Sequence, residues 1–150
     1  TDAWKGKVIM VAPFQRGDYL DLMTEFVLRS TEMAAAYEKQ FGKPIGSFQA
    51  VKHKCVDMMV QVENARSLTY YAAWTVDENV TEAKQAVPMA KAYCSDMGKM
   101  VTSEAIQVHG GIGFTWEHDM HLFYRRALAG EAAFGSAPVH GEVVAQTLDL

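Results

Sequence analysis

"FQAVKHKCVDMMVQVENARSLTYYAAWTV", Phe48–Val76, keeps a single periodicity from end to end. Phe48, Val51, Cys55, Met58, Met59, Val62, Ala65, Leu68, Ala72, Ala73 and Val76 recur at steps of three and four, the spacing of one face of an α-helix. Lys52, Lys54, Asp57, Glu63 and Arg66 fall on the other sides. Ser47 precedes the stripe and is the expected N-cap, because its hydroxyl can accept a hydrogen bond from a free backbone N–H. A helix this long exceeds the usual globular length. It predicts an extended bundle, or a helix that also packs against a partner subunit.

The neighbouring segments obey the same rule. From about Asp18 to Gln40, Leu20, Met23, Phe26, Val27, Met33 and Tyr37 mark a first helix. Pro13 and Gly17 mark its start, Asp18 or Asp21 can cap it, and Gly42-Lys43-Pro44 ends it. From about Thr81 to His109, Ala90, Tyr93, Met97, Met100, Val101, Ala105 and Val108 form a third apolar face. Pro88 either kinks that helix or marks its first turn, and Gly110-Gly111 stops it. Glu117–Ala133 reads as a fourth helix and Pro138–Leu148 as a short fifth. Only Lys7–Val11 suggests a strand. The connections are short, so consecutive helices should be antiparallel neighbours. The predicted fold is an all-α, up-and-down four-helix bundle over residues 18–150, with a short irregular extension over residues 1–17.

Composition narrows the function. The chain has 150 residues, a single domain's worth, and a formal charge of −4. Its basic residues are scattered, Lys52-His53-Lys54 being the nearest to a cluster, which argues against nucleic acid as a partner. No apolar run is long enough to cross a bilayer; Val8–Phe14 is short and contains Pro13. The chain begins at Thr1 without a signal-peptide pattern, which reads as a processed or cropped chain. Cys55 and Cys94 sit far apart in helical patterns and are expected to be reduced, buried thiols, which suits a reducing compartment.

Residue types alone offer little chemistry. Glu117, His118 and His121 resemble half of a helical metal site, but the two-histidine-plus-glutamate zinc spacing is absent and the five histidines fit no ligand set. Capping or solvated histidines are the expectation. No Ser-His-Asp or Cys-His arrangement stands out. "QVHGGIGF", Gln107–Phe114, has no phosphate-loop lysine and comes after no strand, so it is not an ordinary nucleotide loop. The nine methionines sit at core spacing.

Longer motifs carry more. "QFGKPIGSFQAVKH" (Gln40–His53), "ENARSLTYYAAW" (Glu63–Trp74), "AKAYCSD" (Ala90–Asp96) and "AIQVHGGIGFTWEHDMHLFYRR" (Ala105–Arg126) closely resemble the C-terminal helical domain of the acyl-CoA dehydrogenase family. The match runs from about Leu20 to His140, in order and at the family's spacing. The resemblance implies an FAD enzyme with an N-terminal helical domain, a middle β domain and this C-terminal bundle. Such enzymes remove two hydrogens from the α and β carbons of an acyl-CoA and pass electrons to an electron-transfer flavoprotein. It also implies a tetramer, a dimer of dimers with the second helix near its centre. By the same resemblance Gln49 is a cofactor contact, and Gln107, Val108, His109, Gly110 and Gly111 lie along the FAD of a neighbouring subunit. Residues without Cβ let backbone N–H groups approach a dinucleotide, and glutamine both donates and accepts.

Two positions depart from the family pattern. Where the family has an arginine facing the FAD diphosphate, this chain has Glu38, which replaces attraction by repulsion. Where most members have the glutamate that abstracts the α proton, this chain has Phe134, with Gly135 and Ser136 after it. Phenylalanine accepts no proton. The family's other base register falls near Ala12, which is no carboxylate either. Glu131, nearly one helical turn before Phe134, is the remaining acid expected to point the same way. The sequence does not include the two preceding domains of the family, which supply most of the flavin and acyl-CoA cavity. The resulting expectation is a non-catalytic structural or interaction subunit, held to protein partners through its helix faces in a larger mitochondrial assembly. The alternative is a piece of a split or cropped FAD-dependent acyl-CoA dehydrogenase whose other domains or partner supply the base and the acyl-CoA site. The expected location is the mitochondrial matrix side or a bacterial cytoplasm.

Overall fold

The structure is a computed structural model that describes residues 17–148, with side chains from Val27 onward. The proposed extension, apart from Gly17, and the strand suggested at Lys7–Val11 lie outside the described residues. So do the side chains of Leu20, Met23 and Phe26.

Among the described residues the fold has five helices: α1 (Gly17–Tyr37), α2 (Gln49–Asp77), α3 (Ala83–His109), α4 (Met120–Ala132) and α5 (Ala137–Thr147). A two-stranded hairpin, β1 (Lys39–Gln40) with β2 (Lys43–Pro44), and a 3-10 turn (Ile45–Ser47) join α1 to α2. A second 3-10 turn, Gly110–Phe114, comes directly after α3. The expected all-α class therefore holds.

α3 is the central helix. Thirteen of its 27 residues are buried, against five of 29 in α2, because α1, α2, α4 and α5 all pack on it. Contacts along α2 and α3 run in opposite directions. Lys54 pairs with Glu104, Tyr93 donates to Gln61, and Thr69 meets Cys94. Ala72, Ala86 and Ala90 close a small cluster further along. The two helices are thus antiparallel, as their short connection requires. α4 returns along α3 in the same way, with His118 at His109, Ala127 at Gly98 and Gly130 at Lys91. The main core forms where Met58, Val62 and Ala65 of α2 meet Met97, Val101 and Ala105 of α3, closed by Val27 and Leu28 of α1 and by Met120.

Several local expectations change. Met33 and Tyr37 are 60% and 77% exposed, and Met59 is 43% exposed; only the centre of each stripe faces α3, so residues on its margins turn outward. Ser47 is not the N-cap of α2. It belongs to the 3-10 turn and donates its hydroxyl to the Pro44 carbonyl, while Phe48 holds the cap position without a side-chain bond. Pro88 lies inside α3 and is buried. The hairpin was not expected, because two-residue strands show no alternation. Its turn residues Phe41 and Gly42 both have positive φ, 52° and 76°, the requirement of a tight primed turn.

Truncating Met58, which is fully buried, is expected to cost about 2–5 kcal/mol of unfolding free energy as Met58→Ala. Asp57→Ala, one position away on the exposed side, should change it by less than about 0.5 kcal/mol. Urea unfolding of both variants checks the register of α2; equal losses would contradict it.

Candidate functional site

The cofactor-type segment is built at one end of the bundle. α3 closes on Gly110, whose φ of 67° and ψ of −145° suit glycine alone. Further along the turn, a Cβ on Gly113 would stand 2.8 Å from the Ile106 carbonyl oxygen, so packing fixes that glycine. Gly111 differs from both. Its φ is not positive and a Cβ there would meet nothing within 4 Å. No contact within the described residues requires Gly111 to lack a side chain.

Around this turn the expected contact residues divide. Gln107, Gly110 and Gly111 are exposed, whereas the side chains of Val108 and His109 point inward. Val108 joins the core, and the buried His109 ring hydrogen-bonds through Nδ1 to the Ala105 carbonyl (2.8 Å). Gln49 is exposed as the first residue of α2. Antiparallel packing places it at the same end as Gln107, with Lys54–Glu104 bridging the two helices between them.

His109, His118 and His121 form a packed cluster at this end. His118 packs on His109 with ring centroids 4.5 Å apart, and its Nδ1 accepts from the Met120 N–H. His121 Nδ1 bonds to the His118 carbonyl (2.7 Å), and its ring meets the edge of Trp116, which also lies under the Arg125 guanidinium. No cluster of three possible metal ligands exists among the described residues. Burial, with the neighbouring His109, pushes the His118 imidazole below its ordinary value, while Asp119 and Glu38 pull the other way. The last effect places Glu38 near the same end of the bundle.

Phe134 lies elsewhere. α4 ends at Ala132, and the chain turns through Phe134 (φ 62°) and Gly135 (φ 101°) into α5. This elbow lies beside Lys91, about 27 Å along α3 from His109 at 1.5 Å per residue. Phe134 is 55% exposed. Glu131 does not point with it: the carboxylate lies 3.5 Å from Lys99 Nζ on α3, because the left-handed turn breaks the helical register after Ala132. Lys91 is itself buried, donating to Ser95 Oγ (2.8 Å), the Gly130 carbonyl (2.8 Å) and the Glu131 carbonyl (3.4 Å). Burial pushes its pKa down from the ordinary lysine value, with Glu131 and Cys94 opposing. Neither Lys91 nor His140, which bonds the Phe134 carbonyl, stands out in the sequence; an i, i+4 Lys-Ser pair on an apolar face was the available signal.

Comparison with known proteins identifies the bundle. The family model for the acyl-CoA dehydrogenase C-terminal domain matches residues 22–148. This chain belongs to the acyl-CoA dehydrogenase family. Among its relatives, it is 42% identical over 102 residues to acyl-CoA dehydrogenase IpdE2 of Mycolicibacterium smegmatis, covering 66% of this chain and 31% of that protein. It is 36% identical over 110 residues to the mitochondrial short/branched chain specific acyl-CoA dehydrogenase of Rattus norvegicus, covering 73% and 25%. The butyryl-CoA dehydrogenase structure from Megasphaera elsdenii superposes with a TM-score of 0.80 at 32% identity, over 85% of this chain and 33% of that one. The FAD complex of PigA gives 0.81 at 28% identity, over 85% and 33%. The chain spans about a third or less of the length of these proteins.

The packed histidine pair generates a pH dependence. With its folded pKa below the unfolded value near 6.5, His118 binds protons more readily in the unfolded chain. Its contribution is therefore present above that value and is lost as pH falls through the interval below it. Unfolding free energy should fall as pH drops below about 6.5, and His118→Gln should flatten that slope. An unchanged slope in the variant would contradict the assignment.

Proposed function

We propose that this chain is the flavin-facing and subunit-facing bundle of a non-catalytic acyl-CoA dehydrogenase-like assembly, in which it serves as a structural or interaction subunit and contributes no catalytic base. The observation that carries the proposal is the elbow at 132–136. Its left-handed Phe134-Gly135 backbone stands where the family's glutamate-glycine would stand, but the side chain is an exposed phenyl ring. The nearest acid in sequence, Glu131, faces Lys99 instead. A base must lie within hydrogen-bonding reach of the proton it takes, and residues 132–136 of this elbow carry no carboxylate.

The other end of the bundle supports a cofactor-contact role. Gln107, Gly110 and Gly111 are exposed together, and Gly111 leaves open the space that a backbone approach to FAD would use. Glu38 opposes a diphosphate there on charge grounds. FAD, when bound, supplies the redox chemistry; the chain's part is to orient it through backbone groups and glutamine. The distance of about 27 Å along α3 between this turn and the elbow means that one flavin ring cannot touch both. The two features would serve different sites in an assembly of subunits, and the outward residues Tyr70, Tyr71 and Trp74 on α2 offer an aromatic face for its contacts. Two unpaired cysteines suit a reducing compartment, the mitochondrial matrix or a bacterial cytoplasm.

A second reading rests on the intact glycine turn: the chain is part of a longer catalytic flavoprotein whose base comes from another domain or subunit. Anaerobic addition of a saturated acyl-CoA to the protein purified with its native partners separates the two. The non-catalytic reading predicts no bleaching of any flavin band; bleaching overturns it and supports the second.

Gly111→Ala is expected to leave unfolding free energy within about 0.5 kcal/mol of wild type, since the added methyl meets no neighbour. In the assembled protein it should lower FAD retention, read as the ratio of flavin to protein absorbance. Unchanged retention would remove Gly111 from the cofactor contact.

A further inference from the structure

The elbow that carries residue 134 is gripped from outside. An α-helix ends with carbonyls that have no partner in the helix, and a cation near that end is favoured by the helix dipole. α4 ends this way, and Lys91 reaches it from α3, donating to the Gly130 and Glu131 carbonyls. Its third bond, to Ser95 Oγ, aims the ammonium from within its own helix. The residue is only 7% exposed, so these three acceptors stand in for its water shell. A buried ammonium without them would be costly. On the far side of the turn, His140 Nε2–H donates to the Phe134 carbonyl (3.0 Å), and a Cβ on Gly135 would stand 3.1 Å from that nitrogen.

We propose that Lys91 is a positioning residue for the elbow: by fixing the last carbonyls of α4 against α3, it sets the direction in which the side chain at position 134 projects. A residue held at positive φ is strained by about 1–3 kcal/mol and persists only where the surroundings over-determine it. Lys91 from α3 and His140 from α5 supply that determination on the two sides of Phe134. The functional weight of the inference rests on reading position 134 as the family's base position; the geometric claim stands apart from that reading and is tested apart from it.

The test is 19F NMR of the full-length protein labelled with 4-fluorophenylalanine, with the Phe134 line assigned by its loss in Phe134→Leu. In Lys91→Met the Phe134 line is expected to shift and broaden, while the lines of Phe41 and Phe48, at the other end of the bundle, stay in place. A Phe134 line that does not move, or all lines moving together, overturns the proposal and leaves Lys91 a general packing residue. Should Lys91→Met not fold, Ser95→Ala removes one of the three acceptors and must displace the Phe134 line alone; if it does not, the proposal fails. The readout involves no flavin and no acyl-CoA, so its failure is distinguishable from failure of the functional reading.

Discussion

The burial of α3 by four other helices is the constraint on which the rest of the molecule depends. A helix covered on nearly every side must be small or apolar almost all round, and any polar group in it needs a partner. Ala83, Ala86, Ala90 and Ala105 let the neighbouring helices approach, while Met97 and Val101 fill the main core. The polar exceptions are each satisfied. Thr102 bonds back to the Gly98 carbonyl, His109 to Ala105, and Lys91 to Ser95 and the end of α4. α2, by contrast, is covered on one side only. Its outer face keeps Val56, Val60, Tyr70, Tyr71 and Trp74 exposed, which gives the long helix a second surface to offer.

The same central helix also separates the functional features. Its C-terminal end carries Gln107 and the glycine turn, at the end of the bundle that holds Gln49 and Glu38; Lys91, in its first half, stands against the Phe134 elbow. Because α3 is continuous between them, the Gly110–Phe114 turn and the Phe134 elbow are held about 27 Å apart. A substitution at position 134 leaves the packing around Gly110–Phe114 untouched, since the two regions lie at opposite ends of α4. At the elbow, Lys91 bonds the Gly130 carbonyl and His140 bonds the Phe134 carbonyl, so both contacts are to main chain and not to the side chain of residue 134.

The long periodic stretches made the fold legible. Met58, Val62, Ala65, Met97, Val101 and Ala105 stand in the core as their spacing requires, and Gly110 ends α3 with the positive φ that a glycine cap allows. The margins were not legible, because a stripe does not state its own width: Met59 and Met33 share the helical spacing yet face outward. The Phe41-Gly42 hairpin was too short to carry a period. At the site, Gln49 and the Gln107–Gly111 segment were visible only through resemblance to the family, as periodicity says nothing about cofactors. Glu131 was misplaced because its helix ends one residue later, at Ala132, and the left-handed turn redirects the chain before Phe134 projects. For Lys91 the sequence offers only the i, i+4 pair with Ser95; its bonds to α4 depend on residues some forty positions further along the chain.

The central claim, that this bundle meets a flavin with its glycine turn and brings no base to the substrate, is tested most directly by a cryo-EM or crystal structure. That structure would hold the protein with its native partners, bound to FAD and a non-reactive acyl-CoA analogue. The account predicts Gly110-Gly111 backbone against the cofactor, and the Phe134 ring, with no carboxylate of this chain, beside the acyl α carbon. A carboxylate from this chain, Glu131 included, within hydrogen-bond distance of that carbon's proton would contradict it.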